Sequence, residues 1–410
     1  MNRRTFSTTI LFGLMSSKFS LSAEPKSRRI LLRSSWQTVN IGDIGHTPGV
    51  LHLLEQHLRG VEVRLWPSNV DNGVKAMLHN RFPKVSFVQS AAEIKAAFAE
   101  CDFLLHGSGP SLVAAKDVAK WKNETNKPYG VYGITCSATD QKTLDLLSGA
   151  QFALFRDSIS LKHAQKSGVS SPHMEFCPDG AFGVDLRNDD AATSFLKANQ
   201  LEDGKFLCVI PRLRFTPYWK IHNKEKTAED ENRHARSEKM KEHDHAPHRA
   251  AIIAVTRQTD LKILICPEDK SQMEVGKEML YDPLPNDVKK KVVWREKYWL
   301  TDEAVSTYVR SAGLFGNEMH SPIMCIGNGV PAIVCRWSEQ TTKGTMWRDI
   351  GLGDWLFDMD DENEVARVAE TVLALAKDPV AARAKAAKAL DFVHQRQRET
   401  MAVLEKVLGS

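Results

Sequence analysis

Residues 29–58 read RILLRSSWQTVNIGDIGHTPGVLHLLEQHL, and the fold is decided there. Arg29-Ile30-Leu31-Leu32-Arg33 is a short apolar run of β type, a polar loop follows, and Val50 to Leu58 has its leucines at helical spacing. A strand that feeds a helix through a glycine-bearing loop is half of a βαβ unit. The same pattern continues outward. Val61–Leu65, Phe103–His106, Tyr129–Ile134 and Phe152–Phe155 form one strand-like series. Phe206–Ile210, Leu261–Cys266, Gly313–Phe315 and Ala332–Cys335 form a second, and helical patterns over Glu362–Ala376 and Val380–Leu408 close the chain. Strands alternating with helices imply parallel sheets covered on both faces. The expected fold class is therefore α/β, with two Rossmann-like doubly wound domains facing a cleft and ligands at the carboxyl ends of the strands.

A length of 410 residues exceeds one typical core, which sets the expectation of two domains. The boundaries read as 26–200 for the first and 201–378 for the second, divided at the polar stretch Asn199–Lys205, with a C-terminal helix over 379–410. A formal net charge of +4 is slight for this size and points to neither nucleic acid nor a membrane surface as partner. Seven cysteines are an odd number without metal-type spacing. Cys101, Cys136, Cys208, Cys266, Cys325 and Cys335 sit in apolar segments and read mostly as buried thiols, one disulfide remaining open. From Lys220 to His248 the chain is dense in charge and almost free of apolar residues. Such a stretch inside a strand-to-helix connection reads as a flexible insertion over the cleft, or as a solvated loop without a role.

The N-terminus has the order of an export signal. Arg3 and Arg4 in MNRRTF precede a short apolar run from Ile10 to Met15, and Ser22-Ala23-Glu24-Pro25 follows as a small-residue cleavage site. The run is too short to span a bilayer. Paired arginines followed by Phe6 resemble the twin-arginine type, with an ordinary secretory signal as the alternative. Residues 1–25 are thus expected to be removed, leaving a periplasmic or secreted protein with no stable membrane insertion.

Candidate chemistry falls where strands end. Asn40, Gly42, Asp43 and His46 follow the first strand, where a helix N-terminus offers N–H donors, Asp43 can orient a hydroxyl and His46 can move a proton. Gly107, Ser108 and Gly109 lie between a strand and a helix, which suits a phosphate or plain turn chemistry. Arg156 ends a strand, Asp157 can cap the next helix, and Asp179 in PDGAF serves a ligand or a turn. Glu318 and His320, two residues apart at a strand end, suit general acid/base work on a hydroxyl. Arg336, Lys343 and Arg348 stand near Trp337, Trp347 and Trp355, a combination that fits an anionic, sugar-like ligand. His243, Asp244, His245 and His248 lie in the flexible stretch and give no metal geometry, so no metal and no cofactor are assigned.

Taken in order, NIGDI at 40–44, HGSGPS at 106–111, FRDS at 155–158, PDGAF at 178–182 and MHSPIMCIGNGVPAI at 319–333 resemble the polysaccharide pyruvyl transferase family, over roughly Arg29 to Leu375. The resemblance implies a two-domain fold similar to GT-B glycosyltransferases. It also implies transfer of an enolpyruvyl-derived group from phosphoenolpyruvate to two sugar hydroxyls as a ketal. His320 matches the family's motif histidine, a proton-transfer residue, and Arg212 or Arg214 would help bind an anionic donor. Where the family usually has Arg, this chain has Glu318, and a desolvated carboxylate there disfavours such a donor by several kcal/mol. The expected function is transfer of a group, pyruvyl in the family's reaction, to a hydroxyl of a cell-surface or extracellular glycan. The alternatives are a non-catalytic glycan-binding protein, or a hydrolase or epimerase using Glu318 and His320 together.

Overall fold

A computed structural model describes residues 28–409, so the expected signal segment 1–25 lies outside the described residues. Seven parallel strands form the first sheet: β1 (Arg29–Ser34), β2 (Glu62–Pro67), β3 (Ser86–Phe87), β4 (Phe103–His106), β5 (Tyr129–Ile134), β6 (Ala153–Phe155) and β7 (Met174–Phe176), in the order β3-β2-β1-β4-β5-β6-β7. Six parallel strands form the second: β8 (Phe206–Ile210), β9 (Lys262–Ile265), β10 (Val292–Trp294), β11 (Gly313–Gly316), β12 (Ala332–Arg336) and β13 (Leu356–Asp358), in the order β10-β9-β8-β11-β12-β13. Central strands such as β4, β5 and β8 are buried along their whole length, as parallel strands sandwiched between helices must be. Both sheets reverse their winding beside the first strand, between β1 and β4 and between β8 and β11. A crevice opens at the carboxyl ends of the strands at each such switch point, and the two crevices face each other.

The NIGDIGH segment is not a loop ahead of a helix. It forms the first two turns of helix Ile41–His57, capped by Asn40, whose Oδ1 accepts from the N–H groups of Gly42 and Asp43. Those donors are therefore bound internally and do not wait for an anion. Glycine inside a helix costs about 1 kcal/mol relative to alanine, and two positions show what it permits. A Cβ on Gly42 would lie 2.3 Å from His320 Cβ, and one on Gly49 would lie 2.0 Å from the Gly180 carbonyl. The helix is pressed against both domains at once. Ile41 N–H donates to the Glu268 carbonyl (2.9 Å) and Thr301 Oγ1 to the Ile41 carbonyl (2.9 Å), so the seam between domains is closed along this helix.

The charged stretch 220–248 is corrected by the structure. Residues Ala228–Gln258 form one long helix, begun by a capping box between Thr227 and Asp230. The first half of this helix has no apolar stripe to betray it and is supported by ion pairs such as Arg233–Glu229 and Lys241–Glu238. Its second half buries His245, His248, Ala251, Ile252 and Val255. Trp337, Trp347 and Trp355 are also corrected: all three are buried core residues and offer no face to a sugar. The final helix, Pro379–Gly409, belongs to neither sheet's series. It returns to the first domain, where Arg396 pairs with Glu175 (2.5 Å) and Tyr132 Oη meets Thr400 Oγ1 (3.3 Å). All seven cysteines are buried free thiols. Among the described residues no helix is long and apolar enough to cross a membrane.

Candidate active site

The first domain builds its half of the seam around Asp179, in the loop after β7. Its carboxylate is fully buried and takes Arg156 Nη1 at 2.7 Å and His46 Nδ1 at 2.9 Å. The Ser108 hydroxyl (2.9 Å) and the Ala181 N–H (2.9 Å) complete the set. Burial alone would raise the pKa of this carboxylate, but the His46 ring and the Arg156 guanidinium hold it well below the usual range. Asp179 is thus an ionised clamp joining segments that lie 133, 71 and 23 residues away. Ser108 also lies 2.8 Å from the Gly133 carbonyl and accepts from Gly180 N–H. Gly107 and Gly109 keep the backbone close to Ser34 and Trp36. The expected phosphate site at this glycine loop is corrected: the next helix begins only at Ala115, and its cap residue Ala114 gives its N–H to His106 Nε2.

His46 is 0 % exposed, and with Nδ1 engaged by Asp179 its Nε2 has no hydrogen-bond partner. Asp43, one turn earlier, lies 3.9 Å from that Nε2 through Oδ1 and is steadied through Oδ2 by Gln37. Burial would raise the pKa of Asp43, but His320, His46 and Lys343 bring it below the ordinary carboxylate value.

From the second domain comes His320, the first residue of helix His320–Gly327. Its ring meets that of His46 edge to face, with centroids 4.8 Å apart, and its Nε2 also lacks a partner. Burial, then the nearby Lys343 charge, push its pKa well below that of a free histidine, so it stands as a neutral imidazole. The carboxylate beside it is Glu268, not Glu318: His320 Nδ1 lies 3.4 Å from Glu268 Oε1, and Ser321 N–H donates to Glu268 Oε2 at 2.7 Å. Glu318 turns the other way, to Arg212 (2.8 Å) and Gln272 (2.6 Å). The expected acid/base pairing of Glu318 with His320 is absent among the described residues. Glu318 is also not the bare repulsive charge its sequence position implied, because Arg212 neutralises it. Burial still pushes it up to about 7, and burial with the Glu318 charge pushes Asp269 up to about 6.

The remaining cations separate. Lys343 makes no ion pair among the described residues, and its charge acts on His320, Glu268, Glu318 and Asp43, so it faces the seam. Arg214 is corrected from donor ligand to internal clamp, held by Asp244, Glu339 and Asp360. Arg336 is occupied by Asp358 and the Thr341 carbonyl. His245 and His248 give Nδ1 to the carbonyls of Lys241 and Asp244, and no ligand set forms there. Among the described residues the group whose ligand atoms do converge is Asp43, His46 and His320, all within 4.8 Å of one another. Glu268 and Asp269 escaped the sequence reading. Their signal was present: Pro-Glu-Asp follows directly on an apolar strand, at the carboxyl end where ligands bind.

The geometry can be set beside known proteins. No curated protein matches the sequence detectably. Anabaena HepE in complex with UDP-glucose superposes with a TM-score of 0.56 at 9% identity, covering 93% of this chain and 100% of that one. UDP-GlcNAc 2-epimerase from Neisseria meningitidis bound to UDP-GlcNAc gives 0.56 at 11%, covering 92% and 100%. UGT2 of Phytolacca americana with UDP-2fluoro-glucose and pterostilbene gives 0.54 at 12%, covering 93% and 100%. At such identities the likeness shows a shared GT-B-like fold. Residues 40–339 match the profile of the polysaccharide pyruvyl transferases, a span that holds the His46, Asp179, Glu268 and His320 constellation described above. The chain therefore belongs to the polysaccharide pyruvyl transferase family and is a glycan-modifying transferase with a GT-B-like fold.

Proposed function

We propose that this transferase moves a pyruvyl unit from an anionic enolpyruvyl phosphate donor to two hydroxyls of a cell-surface or extracellular glycan, forming a ketal and releasing phosphate, and that it does so outside the cytoplasm. The observation that carries the reading is the meeting of His46 and His320 from opposite domains, each buried and each with an unpartnered Nε2. The two rings are in contact and both Nε2 atoms are closed to solvent, so a sugar hydroxyl reaches these two proton-accepting positions when the domains part at the seam, and is deprotonated at that centre. Asp179 keeps the His46 ring oriented by holding Nδ1, as a buried carboxylate does in hydrolytic triads. Lys343, with no carboxylate paired to it, is the cation left for the donor's carboxylate or phosphate, and Arg212 stands behind it on Glu318. Export is supported by Arg3, Arg4 and the short apolar run that follows.

The test is incubation of the purified protein with phosphoenolpyruvate and a panel of glycans. Release of phosphate together with an acid-labile pyruvate ketal is expected; no release beside an active control transferase would reject pyruvyl transfer. Export is checked by fractionating cells that express the full chain, and a protein retaining Met1 in the cytoplasm would reject it.

A further inference from the structure

We propose that Asp43, His46 and His320 bind a divalent transition-metal cation of the zinc class at the domain seam. One ring nitrogen of each histidine and one oxygen of Asp43 lie within 4.8 Å of one another. Asp43 Oδ1 is 3.9 Å from His46 Nε2 and 3.9 Å from His320 Nδ1. Bonds of about 2.0–2.2 Å to nitrogen and oxygen set neighbouring ligands roughly 3–3.5 Å apart, so each Asp43 contact must shorten by about half an ångström, and the widest separation in the set, 4.8 Å, by more than an ångström (about 1.5 Å). Two imidazoles and one carboxylate leave a coordination position open, which is the pattern of catalytic rather than structural sites.

Three further observations point to a ligand. The first is the free ring position of His46: the residue is wholly buried, its Nε2 has no partner, and that atom faces Asp43. The second is the outer ring of hydrogen bonds. Asp179 fixes His46 through Nδ1, the carboxylate–histidine arrangement that orients metal-bound imidazoles, and Gln37 fixes the far oxygen of Asp43. The third is charge. Before the two histidines are counted, five carboxylates (Asp43, Asp179, Glu268, Asp269, Glu318) face three cations (Arg156, Arg212, Lys343) across the seam. The formal surplus is two negative charges at most, since burial draws Glu268, Asp269 and Glu318 towards their protonated forms, and a dication is accommodated in that surrounding without a new counter-ion. Of these three cations Arg156 and Arg212 are paired, with Asp179 and Glu318; Lys343, which makes no ion pair among the described residues, opposes the bound ion most directly and is free to meet an anionic donor instead.

The proposal rests on the reading of the seam as the place where the acceptor hydroxyl loses its proton. It adds the means: His46 Nε2 is taken up by the cation and His320 Nε2 is left as the proton acceptor, while the cation lowers the pKa of a bound hydroxyl and offers a counter-charge to an anionic donor. The test is independent of substrate. The full-length protein is stripped with a chelator, dialysed and titrated with Co²⁺ and with Zn²⁺ by calorimetry, with the visible spectrum of the Co²⁺ form as a second readout. About one equivalent is expected, displaced by Zn²⁺, with affinity lowered at least tenfold in Asp43→Asn and binding abolished in His46→Gln and His320→Asn. Asp43 is partly exposed and its substitution spares the core, so the Asp43→Asn result stands even where a histidine variant fails to fold. Substoichiometric binding by the wild type, or an affinity unchanged in Asp43→Asn, would overturn the site. Metal binding without any pyruvyl transfer removes the reaction and keeps the site; chelator-resistant transfer by protein that binds no metal removes the site and keeps the reaction.

Discussion

The two halves of the seam are built on opposite electrostatic plans. In the first domain one buried carboxylate, Asp179, collects four donors and is held well below the usual carboxylate range. In the second, three buried carboxylates crowd together: Glu268 is raised, Asp269 reaches about 6 and Glu318 about 7, because burial outweighs Arg212 and Lys343. Around Asp179 the first half is saturated with partners and acts as a rigid mount for His46, whose Nε2 is left unpartnered. The second adds unpartnered atoms of its own, Glu268 Oε1 and His320 Nε2, and with His46 Nε2 these give the seam capacity for something the chain itself does not supply. Positioning and chemistry are thus divided between the domains and meet only where the two imidazoles touch.

Breaking the saturated half has the largest expected effect. Asp179→Ala leaves Arg156 buried without its counter-charge, and loss of about 3–5 kcal/mol is expected in urea unfolding, as for other broken buried pairs. A loss under about 1 kcal/mol would mean that the clamp is not what holds His46.

The pH dependence sharpens the contrast, because the two halves have opposite signs. Asp179, with a depressed pKa, adds stability that is present above about pH 4 and fades as the pH falls further. Glu318, raised from 4.5 to about 7, binds more protons folded than unfolded between those values. Its share of stability is complete below about pH 4.5 and is lost as the pH rises towards 7. Glu318→Gln is expected to flatten that decline by on the order of 2 kcal/mol, measured as unfolding free energy at about pH 4.5 and about pH 7.5. An unchanged slope would place the titration elsewhere.

The smallest effect concerns the donor cation. Lys343→Ala should raise KM for an anionic donor about tenfold, or about 1.4 kcal/mol, with kcat altered far less. An equal fall in kcat with no change in KM would assign Lys343 to the reacting centre instead.

The same comparison shows what a sequence discloses. The central strands were legible because each is a continuous apolar run, and their alternation with helices set the fold. The strands β3, β7, β10 and β13 have two or three residues each and leave no periodic trace. Helix Ala228–Gln258 was hidden because its first half faces water and has no apolar stripe. At the site, single residues were legible: Asp43, His46, Asp179 and His320 all sit at strand ends or helix starts. Their partnerships were not. Nothing in the spacing joins His46 to Asp179 across 133 residues, and Glu318 looked like the partner of His320 because it is near in sequence, whereas Glu268 is near in space.

The most direct measurement compares pyruvyl transfer, read as phosphate release with ketal formation, in wild type, His320→Asn and Glu318→Gln protein of equal folded content. If the chemistry lies where the two imidazoles meet, His320→Asn falls at least about a hundredfold, within the usual span for a proton-transfer group, while Glu318→Gln keeps about a tenth or more. Transfer that survives in His320→Asn but vanishes in Glu318→Gln would move the active centre to the Glu318–Arg212 pair and contradict a centre built on the two imidazoles.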